Sequence, residues 1–493
     1  MHFKFSAMRK LLLSLLVVAS ASAQKNNILL DAGFWKSNPT VETVRNEILK
    51  GNDPAEFDAN AFDPVVLAIN NGASNQVIKF LLQQKGNEGT QKITHDGRTF
   101  LHWATSRNNA ELVGLLIEKG FDVNHKDQNG NTPLVYGSIN GLNDPAIFDL
   151  YFAAGIDPKA RYSNGATLMH LSIASAPNMT LPNYLVKKGL SLTDADQNGA
   201  TVFDYAARTG KVANMRELAK RGVKPTDYAL IVAAQGPRRS ANTIEVFKYL
   251  LDEVKLNVNA NREGENALHF VARKPNQEAI VTYLMQKGVN TNQVDKQGNT
   301  PLIRAASQKD LSVIKMLAEK TQDINHVNAK GESALTMAVR LSSAPVVGYL
   351  LSKGAKPLVD REGKNLAYHL VQSYRAADQD FTAKMDLLEQ NGVDFATPQK
   401  DGSTLYHVAV GKQEIGLLDS LKKFGIDLNA TDKDGMTALH KAAMIAKDDK
   451  ILKYLMAGGA NPRIKTEFDE TAFDLARENE LLAKDKISID FLK

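Results

Sequence analysis

Apolar residues along the chain recur at the spacing of short amphipathic helices. The segments Glu111–Lys119 and Glu278–Lys287 place apolar side chains three and four residues apart, which predicts one buried face on a helix. The same spacing occurs in Ile244–Leu251 and Lys450–Met456, and a shorter Ala-rich stretch such as Tyr205–Ala207 precedes each such segment. The pattern therefore predicts a chain built from pairs of short helices.

A glycine follows the second helix of each pair at nearly constant intervals. The residue just past a helix often adopts the left-handed conformation, which glycine tolerates best. Successive closing glycines are 33 to 38 residues apart, with two double steps of 66 where Lys255 and Thr321 occupy the position. The closing glycines are Gly51, Gly86, Gly120, Gly155, Gly189, Gly222, Gly288, Gly354, Gly392, Gly425 and Gly459.

A second marker, a turn that contains glycine, precedes the first helix of each pair. Residues Asn129–Leu134 read Asn-Gly-Asn-Thr-Pro-Leu, and Gln297–Leu302 repeat the pattern. The residue pair ending in glycine favours a tight turn, and Thr before Pro is typical of a helix N-cap. Both markers give a period of about 33 residues, which indicates an internal repeat.

These motifs resemble the ankyrin repeat. The shared pattern is Gly-x-Thr-Pro-Leu-His-x-Ala followed by a closing glycine, as in Asp96–His102 and Asp434–His440. The resemblance covers nearly the whole chain from near Asn27, about thirteen units at this period. It implies an all-α repeat solenoid of stacked helix-turn-helix units with short β-hairpin fingers. It also implies a concave face that binds a protein partner, without catalysis or cofactor.

The repeat pattern divides the chain into four segments. Residues 1–23 are predicted to be a signal peptide, 24–60 an N-terminal capping repeat, 61–465 the solenoid and 466–493 a C-terminal capping repeat. Two units depart from the pattern. The unit between Gly222 and Lys255 has almost no finger, and insertions lie near Gly236–Ala241 and Ser373–Phe381. Repeat-specific insertions often collect on a binding face, but loops also tolerate insertion because closure entropy grows slowly with length.

The N-terminus has the features of a secretory signal. Lys4, Arg9 and Lys10 precede the apolar stretch Leu11–Val18, and Ala21–Ala23 supplies small residues for cleavage before Gln24. A buried N-terminal helix is the alternative. No other stretch is apolar enough to cross a bilayer. We therefore expect a periplasmic or secreted protein that does not insert into a membrane after signal cleavage.

Composition narrows the class of partner. The chain is 43% hydrophobic and contains no cysteine, so its core must be stable without disulfides. The net charge of +5 falls to +2 when residues 1–23 are removed. A nearly neutral protein gives no indication of nucleic-acid binding.

The sequence contains no catalytic or metal-binding constellation. Asp194–Gly199 matches the first half of a calcium-binding loop, but Tyr205 stands where the bidentate Glu is required, so a finger turn is favoured. No nucleophile elbow, phosphate-binding loop or zinc-ligand spacing occurs. We predict no enzyme activity, no metal and no cofactor. Five histidines lie five residues after a turn glycine, where the resemblance implies a structural role in bonding the next finger: His102, His170, His269, His407 and His440.

Basic residues recur on the fingers of the second half, two positions before the turn glycine. They are Arg262, Lys296, Arg361, Lys400 and Lys433. Neighbouring carboxylates are expected to neutralise them: Glu263, Asp295, Glu362, Asp401 and Asp434. From these residues and the first insertion, the candidate protein-binding set is Gln235, Arg238, Arg239, Arg262, Arg361 and Lys433.

The leading functional hypothesis is an exported scaffold that binds a protein of unknown identity through its concave face and loops. The alternative is an accessory, inhibitory or protective factor for a specific periplasmic enzyme or toxin. The two hypotheses share one fold and differ only in the consequence of binding.

Overall fold

The computed structural model describes residues 27–237 and 240–493, which form two compact units divided between Ser191 and Leu192. The predicted signal peptide, residues 1–23, lies outside the described residues, as do Arg238 and Arg239. Each unit is a succession of short helices in pairs, as an all-α repeat solenoid requires.

The described part of the first unit, residues 27–191, contains ten α-helices. They are α1 (Ala32–Lys36), α2 (Val41–Leu49), α3 (Pro64–Asn70), α4 (Asn75–Leu81), α5 (Phe100–Ser106), α6 (Ala110–Glu118), α7 (Pro133–Ile139), α8 (Pro145–Ala153), α9 (Leu168–Ile173) and α10 (Thr180–Lys187). Their apolar faces form the core, in which Trp35, Phe100, Phe148 and Tyr151 are almost fully buried.

The second unit continues the same alternation of first and second helices. Its helices are α11 (Val202–Ala206), α12 (Val212–Lys220), α13 (Tyr228–Gln235), α14 (Ile244–Lys248), α15 (Ala267–Val271), α16 (Glu278–Gln286), α17 (Pro301–Ala305), α18 (Leu311–Ala318), α19 (Ala334–Leu341), α20 (Ala344–Ser352), α21 (Leu366–Gln372), α22 (Phe381–Gln390), α23 (Leu405–Ala409), α24 (Ile415–Leu421), α25 (Ala438–Ile445), α26 (Lys450–Ala457), α27 (Ala472–Glu478) and α28 (Glu480–Lys484). Its core includes Phe203, Phe247 and Phe395.

The helix boundaries follow from the predicted capping residues. Thr132 caps α7 by accepting a hydrogen bond from the Val135 amide, and Pro133 is the first helical residue. The closing glycines adopt positive φ, as Gly120 does at 86°. Lys255 takes the same conformation with φ of 66°. Thr321 does not, and its hydroxyl instead donates to the Leu317 carbonyl at 2.9 Å.

The fingers are tight turns rather than regular hairpins. Strands β1 (Asn261–Arg262) and β2 (Glu265–Asn266) form the one two-stranded ladder in residues 27–237 and 240–493. Elsewhere the amide three residues before the turn glycine donates to the carbonyl one residue after it, as Asp295 N does to Asn299 O at 3.0 Å. Adjacent fingers bond through single backbone contacts such as Arg361 N to Lys330 O at 3.0 Å. The expected β-hairpin is thus present as a regular pair of strands in one described finger.

The two irregular units have the predicted form. The chain passes from Val223 to α13 without a finger, and Ala229–Ala234 of that helix are all buried. Helix α14 continues as a π-helical turn, Tyr249–Glu253. Both insertions lie between the two helices of their units, one between α13 and α14 and the other between α21 and α22. The predicted placement of the insertions is confirmed.

Within residues 27–237 and 240–493, no helix has both the length and the apolar character needed to span a bilayer.

Candidate protein-binding site

The fingers and first helices of the second unit form a surface that we call the finger face. Two cavities open on this face beside α19, and a third lies at the C-terminal end of α19 next to the α21–α22 insertion; each is lined by Arg340, Leu341 or both. Their volumes are about 400 Å³ beside α17, 410 Å³ beside α21 and 370 Å³ beside the α21–α22 insertion. Together they form a groove, which we call the α19 groove.

A repeated side-chain link fixes several fingers to their first helices. Asp295 Oδ1 accepts from the amides of Gln297 and Asn299 at 2.9 and 2.8 Å, so one oxygen organises the turn. Its Oδ2 accepts from Arg304 Nε at 2.9 Å, nine residues along on α17. The pairs Asp360–His369 and Asp432–Lys441 repeat this nine-residue spacing at 3.0 and 2.6 Å. The link holds the polar wall of the finger face in one arrangement.

The histidines after the turns are structural, as predicted. His102 Nδ1 lies 3.2 Å from the Thr99 amide, which donates to it, and Nε2 lies 3.2 Å from the Asn131 carbonyl of the next finger. An acceptor Nδ1 and a donor Nε2 describe a neutral ring. Burial lowers the pKa of His102 to about 4, which keeps it neutral. His269, His407 and His440 repeat both contacts, and burial lowers their pKa values too.

The segment that resembles a calcium loop is a finger turn. Asp196 Oδ1 accepts from the amides of Asn198 and Ala200 at 2.8 and 2.9 Å. Its Oδ2 accepts from the Tyr205 hydroxyl at 2.9 Å, which is the nine-residue link again. The carboxylate is therefore occupied by the fold, and the finger-turn interpretation is confirmed.

The α19 groove carries an excess of unpaired positive charge. Five cations on its walls form no ion pair in the described part of the chain: Arg273, Lys309, Lys330, Arg361 and Arg375. Two lining carboxylates, Glu362 and Asp380, are likewise unpaired there. Asp360 is paired with His369, whose pKa is lowered by burial, so it adds a third negative charge, whereas Arg304 pairs with Asp295 and Arg340 with Glu332. The electrostatic field of the groove therefore favours an acidic ligand.

The predicted binding residues are distributed unevenly around this groove. Arg361 lines the cavity beside α21. The Arg262 guanidinium instead stacks on the Tyr228 ring at 4.5 Å, and the Gln235 carbonyl accepts from Lys274 Nζ at 2.5 Å. Lys433 lies on a later finger, where its amide donates to the Asp401 carbonyl. It lines none of the three cavities. Arg238 and Arg239 lie outside the described residues, so their role stays a prediction.

The expected neutralisation of the basic finger residues occurs at one position. Glu263 pairs with Lys296 at 2.9 Å. Asp295 binds Arg304, however, and Asp401 binds Lys364 of the preceding finger at 2.6 Å. The expectation was wrong for these two acids because each side chain turns toward a partner remote in sequence. Lys296 nevertheless keeps Glu263 as a partner, whereas the exposed Lys400 forms no ion pair with a described residue.

Sequence reasoning missed the residues at the centre of the groove. Leu341 is 45% exposed, and it lines one cavity with Arg340 and another with Lys330. One sequence feature could have located them, namely the nine-residue spacing between a finger carboxylate and a donor on the first helix. This spacing identifies the first-helix positions that face the fingers. An exposed apolar residue at the end of such a helix, as Leu341 is, would then have marked the groove.

Comparison with known proteins identifies ankyrin repeats along the chain. A family model described as ankyrin repeats (3 copies) matches residues 65–147, 230–328 and 288–361, and one described as ankyrin repeats (many copies) matches 421–476. An ankyrin repeat protein of Rickettsia bellii is 26% identical over 275 residues, which are 52% of this chain and 38% of that protein. The alpha-latroinsectotoxin-Lt1a of Latrodectus tredecimguttatus is 25% identical over 282 residues, covering 54% of this chain and 19% of the toxin.

Other similar proteins include an enzyme and a solved structure. The phosphocholine transferase AnkX of Legionella pneumophila is 22% identical over 325 residues, which are 62% of this chain and 32% of AnkX. The human ASB11 ankyrin repeat domain is 24% identical with a TM-score of 0.39, and the match covers 44% of this chain and 95% of that domain. The chain thus spans well under half the length of these curated relatives. Since the matched ranges together span more than half of the chain and the repeat geometry continues outside them, this chain belongs to the ankyrin-repeat family.

Proposed function

We propose that this protein is an exported, non-catalytic scaffold that binds an acidic protein partner in the α19 groove. The observation that carries the proposal is the set of three cavities around α19, with five unpaired cations on their walls. A partner that supplies carboxylates would compensate those cations. The exposed Leu341 gives it an apolar contact at the centre.

A non-catalytic role is supported by how the fold uses its reactive side chains. The buried histidines hold adjacent fingers together, and the finger carboxylates hold the turns. Ankyrin repeats typically act as binding scaffolds. The relative AnkX is named as a phosphocholine transferase, but this chain matches only 32% of its length.

Export is supported by the composition of residues 1–23, and it places the partner in the periplasm or outside the cell. Cleavage should give a mature protein that begins at or near Gln24. N-terminal sequencing of the protein from its native host tests this expectation. An intact Met1 on cytoplasmic protein would contradict it.

The binding proposal is tested by comparing partner capture between two matched variants. Leu341→Asp places a carboxylate in the centre of the cationic groove, whereas Phe468→Asp makes the same kind of change at a residue 80% exposed near the C-terminus. We expect Leu341→Asp to weaken capture of the specific partner about tenfold or more, as loss of a central contact does, and Phe468→Asp to leave it unchanged. Equal capture by both variants would show that the groove is not the binding site.

A further inference from the structure

A recurrent three-residue contact joins second helices of neighbouring repeats, and we call it the tyrosine clamp. In each clamp a Tyr hydroxyl donates to an Asp on the preceding second helix. The three pairs, Tyr184–Asp149, Tyr283–Asp252 and Tyr454–Asp419, all have an oxygen–oxygen distance of 2.7 Å. The first lies in the first compact unit and the other two lie in the second.

A lysine completes each clamp. Lys188, Lys287 and Lys422 approach the three carboxylates at 2.6, 2.5 and 2.8 Å. Each ammonium also lies over the tyrosine ring, 5.3, 5.5 and 4.7 Å from its centroid. Hydrogen bonds from the lysine and the tyrosine lower the pKa values of all three Asp carboxyls. The Tyr–Lys pair is therefore a site that favours a carboxylate.

A fourth copy of the clamp lacks its carboxylate. Tyr349 lies five residues before its closing glycine, as Tyr184, Tyr283 and Tyr454 do, and Lys353 lies over its ring at 5.5 Å. The position that holds Asp149 or Asp419 in other repeats, six residues before the closing position of the preceding repeat, is here Lys315. Lys315 Nζ lies 5.6 Å from the Tyr349 ring centroid.

The polar groups of this fourth copy have no internal partner. The Tyr349 hydroxyl is buried and makes no hydrogen bond in the described part of the chain. Lys315 and Lys353 are exposed, and neither forms an ion pair with any described residue. A buried hydroxyl without a partner is destabilising, and such groups are rare in folded proteins. The site thus has two ammonium groups and a hydroxyl donor but no acceptor.

We propose that Tyr349, Lys315 and Lys353 bind a carboxylate from an acidic segment of a protein partner. One carboxylate oxygen accepts from the Tyr349 hydroxyl, and the lysines contact the carboxylate as they do in the complete clamps. The long lysine side chains can swing aside to admit the ligand without a change in the backbone. The assignment to a carboxylate rests on the three internal examples. It does not depend on the α19 groove, because it concerns the second helices.

The test uses a signal from the tyrosine itself. The full mature chain is labelled with 3-fluorotyrosine at position 349, or at position 283 as a matched control, and titrated with a short oligoglutamate peptide at low salt. We expect the fluorine resonance at 349 to shift saturably and the resonance at 283, whose hydroxyl already binds Asp252, to stay in place. No shift at 349, or equal shifts at both positions, would overturn the proposal.

Substitutions separate the site from general attraction of an acidic peptide. Lys315→Asp restores the internal carboxylate, so it should move the resonance without peptide and weaken the peptide titration about tenfold or more. Lys248→Asp makes the same change of charge at another exposed second-helix lysine and should leave the titration intact. Leu341→Asp should also leave it intact, which distinguishes this site from the groove.

Two further outcomes would contradict the proposal. An unchanged titration in Lys315→Asp would show that the peptide does not bind at the clamp. Displacement of the peptide by an equimolar amount of inorganic phosphate would show that the site does not select carboxylates.

Discussion

Buried polar residues of this chain act by connecting one repeat to the next. His102, for example, caps its own helix through Nδ1 and bonds the next finger through Nε2. A protonated ring would lose the acceptor that receives the Thr99 amide. The stability of the repeat stack therefore depends on a neutral imidazole.

The first unit should consequently become less stable as the pH is lowered. Burial lowers the pKa of His102 from 6.5 to about 4, so the unfolded chain binds a proton more readily between these values. The stabilisation is complete above pH 6.5 and is lost as the pH falls toward 4. We expect the free energy of unfolding to be about 2 kcal/mol lower at pH 5 than at pH 7.5 from this residue.

Urea unfolding of His102→Gln at both pH values measures this contribution. The variant should be less stable than the parent at pH 7.5. Its free energy of unfolding should, however, change less between the two pH values than that of the parent. Thr132→Ala is the control, since it removes an N-cap without changing a titratable group. If His102→Gln retains the full pH difference, His102 is not its source.

The complete and incomplete tyrosine clamps should respond differently to the loss of a hydroxyl. Tyr283→Phe removes a hydrogen bond to Asp252, and we expect it to lower the free energy of unfolding by about 1 kcal/mol. Tyr349→Phe removes a hydroxyl that has no partner in the described structure, so stability should stay equal or rise slightly. Thermal unfolding of the two variants tests the contrast. A larger loss for Tyr349→Phe would mean that its hydroxyl has an internal role.

Residue-scale prediction succeeded where the resemblance to ankyrin repeats assigned a role to a position. The histidine role followed from that resemblance, since each histidine lies five residues after a turn glycine. The neutralisation of the finger cations was not predicted correctly, because Asp401 pairs with Lys364, 37 residues away, rather than with a neighbour. Ion pairs between repeats depend on side-chain direction, which the spacing of residues along the chain does not determine.

At the scale of elements, the α21–α22 insertion is held by a buried lysine. Lys384 is 2% exposed, and its ammonium contacts the Val339 and Ser342 carbonyls at 3.3 and 3.2 Å. It also pairs with Asp378 of the insertion at 3.0 Å. One side chain thus ties the insertion to the preceding repeat and shapes the cavity beside it.

Replacing this lysine should loosen the insertion. We expect Lys384→Met to lower stability by about 2 kcal/mol, because three acceptors lose a charged donor. It should also increase tryptic cleavage at Arg375. Asp378→Asn completes a double-mutant cycle with Lys384→Met. The stability lost in the double variant should be less than the sum of the losses in the two single variants. Additive effects would show that Lys384 and Asp378 are not coupled.

Most elements could be predicted because they repeat. The segment Lys450–Met456 was placed within one residue of α26, and both insertions were located between helices. The π-helical turn Tyr249–Glu253 could not be predicted, because it changes the bonding of a helix without changing its apolar spacing. The α19 groove was missed for a related reason, since it forms where several repeats meet.

On the scale of the second unit, one end of the α19 groove adjoins a lysine that contacts the first insertion, and the other end is lined by the α21–α22 insertion. At one end Lys274 Nζ donates to the carbonyls of Gln235 and Ser240, at 2.5 and 3.2 Å, and thereby holds the first insertion. Its neighbour Arg273 lines the 400 Å³ cavity. At the other end, the α21–α22 insertion lines the 370 Å³ cavity. This arrangement suits a partner that lies along the groove and contacts both loops.

A change in either insertion should therefore weaken partner binding while the repeats stay folded. We expect deletion of residues 237–240 or the substitution Arg375→Glu to reduce affinity about tenfold each, and the combination to reduce it by the product, since the two sites share no contacts. Binding isotherms with the captured partner measure the affinities, and circular dichroism checks the fold. Phe468→Asp again serves as the control. If the deletion has no effect and Arg375→Glu does, the partner occupies only the α21 end of the groove, where Arg361 is the next residue to substitute.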